Sequence, residues 1–278
     1  MATIPQYYDE GGAPLEIGID PLSVGPTWFA HRDRLTGWLA DLPDDAWGGP
    51  TRCDGWTVSE LVRHLASVLQ FEGFTLHQAA KGHATRLLEG MDTQETPGAA
   101  AALLGDLDPG ALLETMRGFD AQIDTTVDEW SAADWGRTAE APPGHLPAWM
   151  SLCHMLFDSW VHEYDLLLPR DETPAVVANE VEIVVAYVLG LAGVTGEGFD
   201  RGGATAEVRV TDCDLRIGLD ARGDRAIVRP GWAPDQAPVV EGTAGALLDV
   251  ATGRDEPAAV NGDPVGVAVL VDFARLLR

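Results

Sequence analysis

Two prolines, Pro147 and Pro169, bracket a segment that carries Met150, Leu152, Met155, Leu156, Val161 and Leu166 at helical spacing, and within that apolar run stand His154, Asp158 and His162. Residues four apart project from one face of a helix, so the three form a polar stripe on an otherwise apolar rod. Burying such a stripe without partners is costly. It must be solvated, paired internally or bound to metal, and a bundle whose facing walls supply the partners is the arrangement that suits it. Spacing alone leaves these options open, because histidines are commonly satisfied by hydrogen bonds.

A second helix has a clear start. Thr57 and Glu60 fit a capping box, and Leu61, Leu65, Ala66, Val68 and Leu69 then repeat at helical spacing toward Lys81-Gly82. It carries His64. With Asp158 and His162 it makes a set of two imidazoles and a carboxylate, three ligands that leave one coordination position open, as a catalytic metal needs. The spacing predicts a first helix from about Pro26 to Leu42 and a third from about Gly110 to Trp130, with a loop and a short helix between Leu87 and Pro109. The segment beginning near Pro147 is the fourth.

The character changes after Pro169–Ala175, which reads as a connection between domains. Val176–Val194 is a strongly apolar helix. Ala206–Val210, Leu215–Leu219 and Ala226–Val228 read as strands, the last two joined at Ala221–Asp224. Val239–Gly242 leads into a short helix at Thr243–Thr252, and Pro264–Leu277 is a final helix. The expected organisation is α plus α+β: an extension over 1–25, a four-helix bundle over 26–170 and a smaller α+β domain over 171–278.

A formal charge of −26, from 44 acidic against 18 basic residues, repels phosphate backbones and anionic membrane surfaces, which argues against nucleic-acid and membrane partners. The start lacks a basic segment followed by an apolar one, so a cytoplasmic location is expected. The three cysteines, Cys53, Cys153 and Cys213, are odd in number and lack a CxxC pair, which argues against a disulfide framework. Cys53 lies near the His64 helix and reads as a structural thiol.

The run Asp44-Asp45-Ala46-Trp47-Gly48-Gly49-Pro50-Thr51-Arg52-Cys53-Asp54-Gly55-Trp56-Thr57-Val58, followed by Leu61 and His64-Leu65, resembles the signature of the mycothiol-dependent maleylpyruvate isomerase family, a DinB-like group. Val161-His162-Glu163-Tyr164-Asp165-Leu166 is similar to the family's Val-His-Arg-Trp-Asp-Leu. Val240-Glu241-Gly242-Thr243, Gly253-Arg254 and Val260-Asn261-Gly262-Asp263 resemble its sterol-carrier-like C-terminal domain. The likeness implies a DinB-like bundle holding a divalent metal, usually zinc, through His64, Asp158 and His162, with mycothiol or another low-molecular-weight thiol as cofactor and a small electrophilic substrate. Asp158 stands where the family has glutamate, and Glu163 and Tyr164 replace Arg-Trp beside the ligand.

The resemblance implies an isomerase or S-transferase in which a metal-activated thiolate adds to the substrate. The alternative is a non-catalytic bundle that binds a small apolar molecule with a weak or absent metal site. Asp165 is a candidate acceptor for a ligand imidazole. His154 reads first as a core histidine, His77 and His83 lie too far along their helix to join His64, and Trp56 and Gly55 shape the approach to it. Arg201, Arg209, Arg222 and Arg254 are candidates for a carboxylate-binding group from the C-terminal domain.

Overall fold

Asp20 caps the first helix by accepting from the Leu22 N–H, with Pro21 in the first turn, so α1 spans Pro21–Ala40. The sequence pointed to a start at Pro26, which lies inside the helix. Its missing N–H forfeits one bond, to the Leu22 carbonyl, and the cap and the buried Trp28, Leu35 and Leu39 offset that loss. The computed structural model describes residues 4–9, 11–93, 95–195 and 204–277.

The Thr57 capping box is formed, with the Thr57 N–H donating to Glu60 at 2.7 Å, and α2 spans Val58–Ala80. Then follow α3 (Thr96–Ala102), α4 (Pro109–Val127), the short α5 (Ala132–Trp135) and α6 (Ala148–Leu167). α1 packs on α6 and α4, and α2 packs on α4 and α6, which closes the four-helix ring that the periodicity predicted. A hairpin that the sequence did not signal precedes α6: β2 (Thr138–Ala141) pairs antiparallel with β3 (Gly144–Pro147). Four-residue strands joined at Pro142-Pro143 carry too little alternation to be seen.

α7 (Ala178–Thr195) packs on α1 and α6 on one side and on the sheet on the other. By length and composition it is the one helix among the described residues apolar enough to cross a membrane, and 83% of it is buried inside the fold. Its first turn delivers Glu180 to a buried network. Arg34 binds Glu180 at 2.7 and 2.8 Å and Glu163 at 3.0 and 3.1 Å, and His31 lies 3.2 Å from Glu180.

The second part holds β4 (Thr205–Val210), β5 (Leu215–Asp220), β6 (Ala226–Pro230) and β7 (Val239–Gly242), then α8 (Ala244–Ala251), the two-residue β8 (Asn261–Gly262) and α9 (Pro264–Leu277). The architecture is thus a helical bundle followed by a mixed α+β unit. The sheet order β1-β6-β5-β4-β7-β8 contains a surprise. Its outermost strand is β1 (Leu15–Ile17), paired parallel to β6 with Leu15 opposite Ala226.

The N-terminal stretch is therefore a strap. Before joining the sheet it crosses the bundle, where Gln6 donates to the carbonyls of Leu88 and Pro142 and Tyr8 donates to Glu140 at 2.6 Å. The backbone of Tyr7 bonds on both sides of the β2–β3 turn. Gly144, at φ +96°, lets it approach: a Cβ there would sit 2.6 Å from the Tyr7 carbonyl oxygen.

Candidate metal centre

The loop before α2 is folded around Thr51. Its hydroxyl donates to the Trp56 carbonyl at 2.9 Å and accepts from the Cys53 N–H, and Gly55 takes the left-handed turn at φ +78°. This places Trp56 edge-on to His64, ring centres 5.4 Å apart. On α2, His64, Ser67, Val68, Phe71 and Glu72 face a cavity of about 500 Å³; on α6, His154, Phe157, Asp158, Val161 and His162 face it from the other side.

The structure brings His64, Asp158 and His162 together, their ligand atoms all within 4.8 Å of one another. His64 Nε2 lies 3.3 Å and His162 Nε2 3.6 Å from Asp158 Oδ1. A tetrahedral ion bound at about 2.0–2.2 Å separates its donor atoms by roughly 3.3–3.6 Å, so the spacing fits. Asp158 Oδ2 is buried and has no hydrogen-bond partner, which fits a carboxylate whose charge a bound cation would satisfy. Burial opposes ionisation of Asp158, but the two imidazoles outweigh it and hold the carboxyl well below its ordinary range.

Asp165 is fully buried one turn beyond His162, whose Nδ1 lies 2.9 Å from its Oδ2, the arrangement that aims Nε2 at the ligand cluster. Arg254 grips the same carboxylate through Nε at 2.8 Å and Nη2 at 2.6 Å. Burial opposes the ionised form, and hydrogen bonds from His162 and Arg254 overcome it and hold Asp165 well below the usual carboxylate range. Cys53 also donates to Asp165, at 3.3 Å. Burial and the Asp165 charge push its thiol up to about 12, so it stays protonated at neutral pH.

Of the C-terminal arginines, Arg254 reaches the cavity. Arg209 pairs with Glu207 and Arg222 with Asp220 on exposed parts of the sheet, and Arg201 lies outside the described residues. His77 and His83 are not among the residues that line the cavity. Glu163, expected to alter the charge beside the ligand, turns instead toward α1, where Arg34 occupies it. A single step along a helix turns the side chain by about 100°, which takes Glu163 off the face that carries His162. Tyr164 packs against α8, where a Cβ on Gly245 would lie 2.8 Å from its ring.

Among the lining groups that the sequence does not mark are Glu72, Thr252 and Ile4. Glu72 has no signal of its own, a single carboxylate on a long helix, although its place eight residues after His64 puts it on the same face. Thr252 enters from the turn after α8, and Ile4 from the strap.

A comparison with curated proteins finds no match. Two solved structures resemble the chain, each with a TM-score of 0.59 and covering 88% of this chain and 92% of its own. They are crystal structures of the mycothiol-dependent maleylpyruvate isomerase, at 20% identity, and of a histidine-to-alanine mutant of it, at 19%. At that identity the likeness establishes the fold. The sequence profile of the mycothiol maleylpyruvate isomerase N-terminal domain matches residues 28–167, half of the chain and the whole of α2 and α6, and by that match the protein belongs to this family.

Proposed function

We propose that the chain is a metal-dependent, thiol-using enzyme of the mycothiol-dependent isomerase or S-transferase type, acting on a small electrophile. The observation that carries this reading is the meeting of His64, Asp158 and His162, with a buried unpartnered Asp158 oxygen, in a cavity that Arg254 enters from the second unit. The three residues would hold the ion. When bound, a divalent cation lowers the pKa of a coordinated thiol and so supplies the nucleophile.

The chain's own residues do the rest. Asp165 keeps the His162 ring in one orientation. Arg254 spends Nε and Nη2 on Asp165, and its remaining guanidinium N–H groups suit a substrate carboxylate. Apolar side chains along the walls limit water around the reacting centre. The domain division at 170/171 goes with this reading: the bundle supplies the ligands and the second unit the arginine.

The test is metal content after zinc loading. His64→Ala and His162→Ala are expected to lose bound zinc with helix content unchanged, whereas Asp158→Glu retains it. Full occupancy in both alanine variants refutes the ligand set. A wild-type protein that takes up no zinc at all favours the non-catalytic reading.

A further inference from the structure

The cavity has two unlike ends. At one, His64, Asp158, His162 and Arg254 gather charge. Glu72 stands eight residues from His64 along α2, which at 1.5 Å per residue is roughly 12 Å, and His154 lies one turn beyond Asp158 on α6, in the direction away from His162. Val68, Phe71, Phe157 and Val161 line the stretch between. The far end is walled by Leu88, Met91, Pro97, Ala100 and Pro142 and by Ile4 of the strap.

Glu72 is 1% exposed, and its Oε1 is buried without a hydrogen-bond partner, as is the hydroxyl of the nearby Ser151. Its other oxygen has only the Thr75 hydroxyl, at 3.5 Å. Glu140, the nearby carboxylate, is fully engaged by Tyr8 and by the Leu87 and Leu88 N–H groups. His154 has Nδ1 against the Tyr187 hydroxyl at 3.2 Å and presents its ring to the cavity.

We infer that this end is a subsite for a neutral hydrogen-bonding group, such as a ketone or amide carbonyl, on the far end of an elongated substrate with an apolar body, and that the Glu72 carboxyl is its donor. Two features of that substrate rest on the proposed function: its electrophilic character and its carboxylate anchor at Arg254. Burial and the charge of Glu140 keep Glu72 protonated well above the usual carboxylate range, which makes it a donor. Burial brings His154 down to about 4, so it too is uncharged.

The charge distribution excludes the alternative occupant. Arg254 is the one lysine or arginine among the described residues that line the cavity, and it sits at the opposite end. A carboxylate placed near Glu72 would find no cation, and the Glu140 charge that acts on Glu72 from behind the wall would oppose it. The cavity therefore accepts one carboxylate, at Arg254, and rejects a second at the far end.

Three saturated probes share a butanoate anchor and differ at the far end: 4-(4-acetylphenyl)butanoate, 4-(4-ethylphenyl)butanoate and 4-(4-carboxyphenyl)butanoate. They need neither thiol nor turnover, so calorimetric titration of zinc-loaded protein reads this subsite independently of the proposed reaction. The acetyl probe is expected to bind roughly tenfold more tightly than the ethyl probe, the worth of one buried hydrogen bond, and the dicarboxylate weakest. Glu72→Leu should erase the acetyl preference while keeping ethyl-probe affinity, and Glu72→Gln, which retains a donor, should preserve it. Equal binding of the dicarboxylate, an unchanged preference in Glu72→Leu, or no binding of any probe overturns the assignment. Loss of thiol chemistry with these preferences intact would instead sink the proposed reaction.

Discussion

Glu180→Gln removes one charge from the buried network that fastens α7 to α1 and α6. Breaking a buried ion pair from one side costs roughly 3–5 kcal/mol, because the other charge is left without compensation. Here Arg34 is 29% exposed and keeps its two bonds to Glu163, so solvent and the surviving partner reduce the figure to about 1.5–3 kcal/mol. That is a large share of a typical stability of about 5–15 kcal/mol. The pH dependence has a definite sign. Burial opposes ionisation of Glu180, but Arg34 and His31 outweigh it and hold the folded carboxyl below its unfolded value of about 4.3. The contribution is therefore complete above that pH and disappears as pH falls through the lower folded value. Urea unfolding of wild type and variant, followed by far-UV circular dichroism and tryptophan fluorescence together, should show the full difference at pH 7 and a shrinking one below pH 4. A difference under about 0.5 kcal/mol at pH 7, in the range of an ordinary surface substitution, refutes the reasoning, as does one that persists unchanged in acid.

Cys53→Ser is expected to leave zinc affinity and thiol turnover within about threefold of wild type, since the half-buried thiol donates to Asp165 and accepts weakly from Arg254, and a hydroxyl can do both; chelator competition and a thiol-consumption assay check this, and a collapse of turnover with zinc retained would make Cys53 a participant. A chain starting at Asp20 loses β1, the Tyr8–Glu140 bond and the Gln6 contacts, and it is expected to keep its helix content but melt several degrees lower by scanning calorimetry. An unchanged Tm would mean that the strap contributes nothing.

Much of the fold was legible because its helices announce themselves locally. The Thr57–Glu60 box, Pro109 and the long apolar periods need no tertiary information. The start of α1 was misplaced because the sequence holds two prolines suited to a first turn, and only the Asp20 side chain decides between them. The stripe on α6 shows three ligand-type residues, but the approach of His64 depends on how α2 lies against α6. Four arginines could have served the site; the turn after α8 selects Arg254, and no local signal reveals that. Glu72 was hidden for a related reason, since a carboxyl in a long amphipathic helix looks solvated until the opposite wall is in place.

The strap also bears on the order in which the molecule can be completed. Leu15 and Ala226 are paired neighbours although roughly 210 residues separate them along the chain, a loop whose closure is slow compared with the local assembly of helices. On a ribosome, β6 emerges only after the bundle has been made, so the first strand must wait unpaired, or lie against the bundle alone, until the sheet exists to receive it. The wall that Ile4 gives the cavity is held on the far side by that late strand pairing. A chain stalled before β6 could assemble the His64, Asp158 and His162 cluster with its cover still unfastened, so the proposed metal site would form before the cavity beside it is closed.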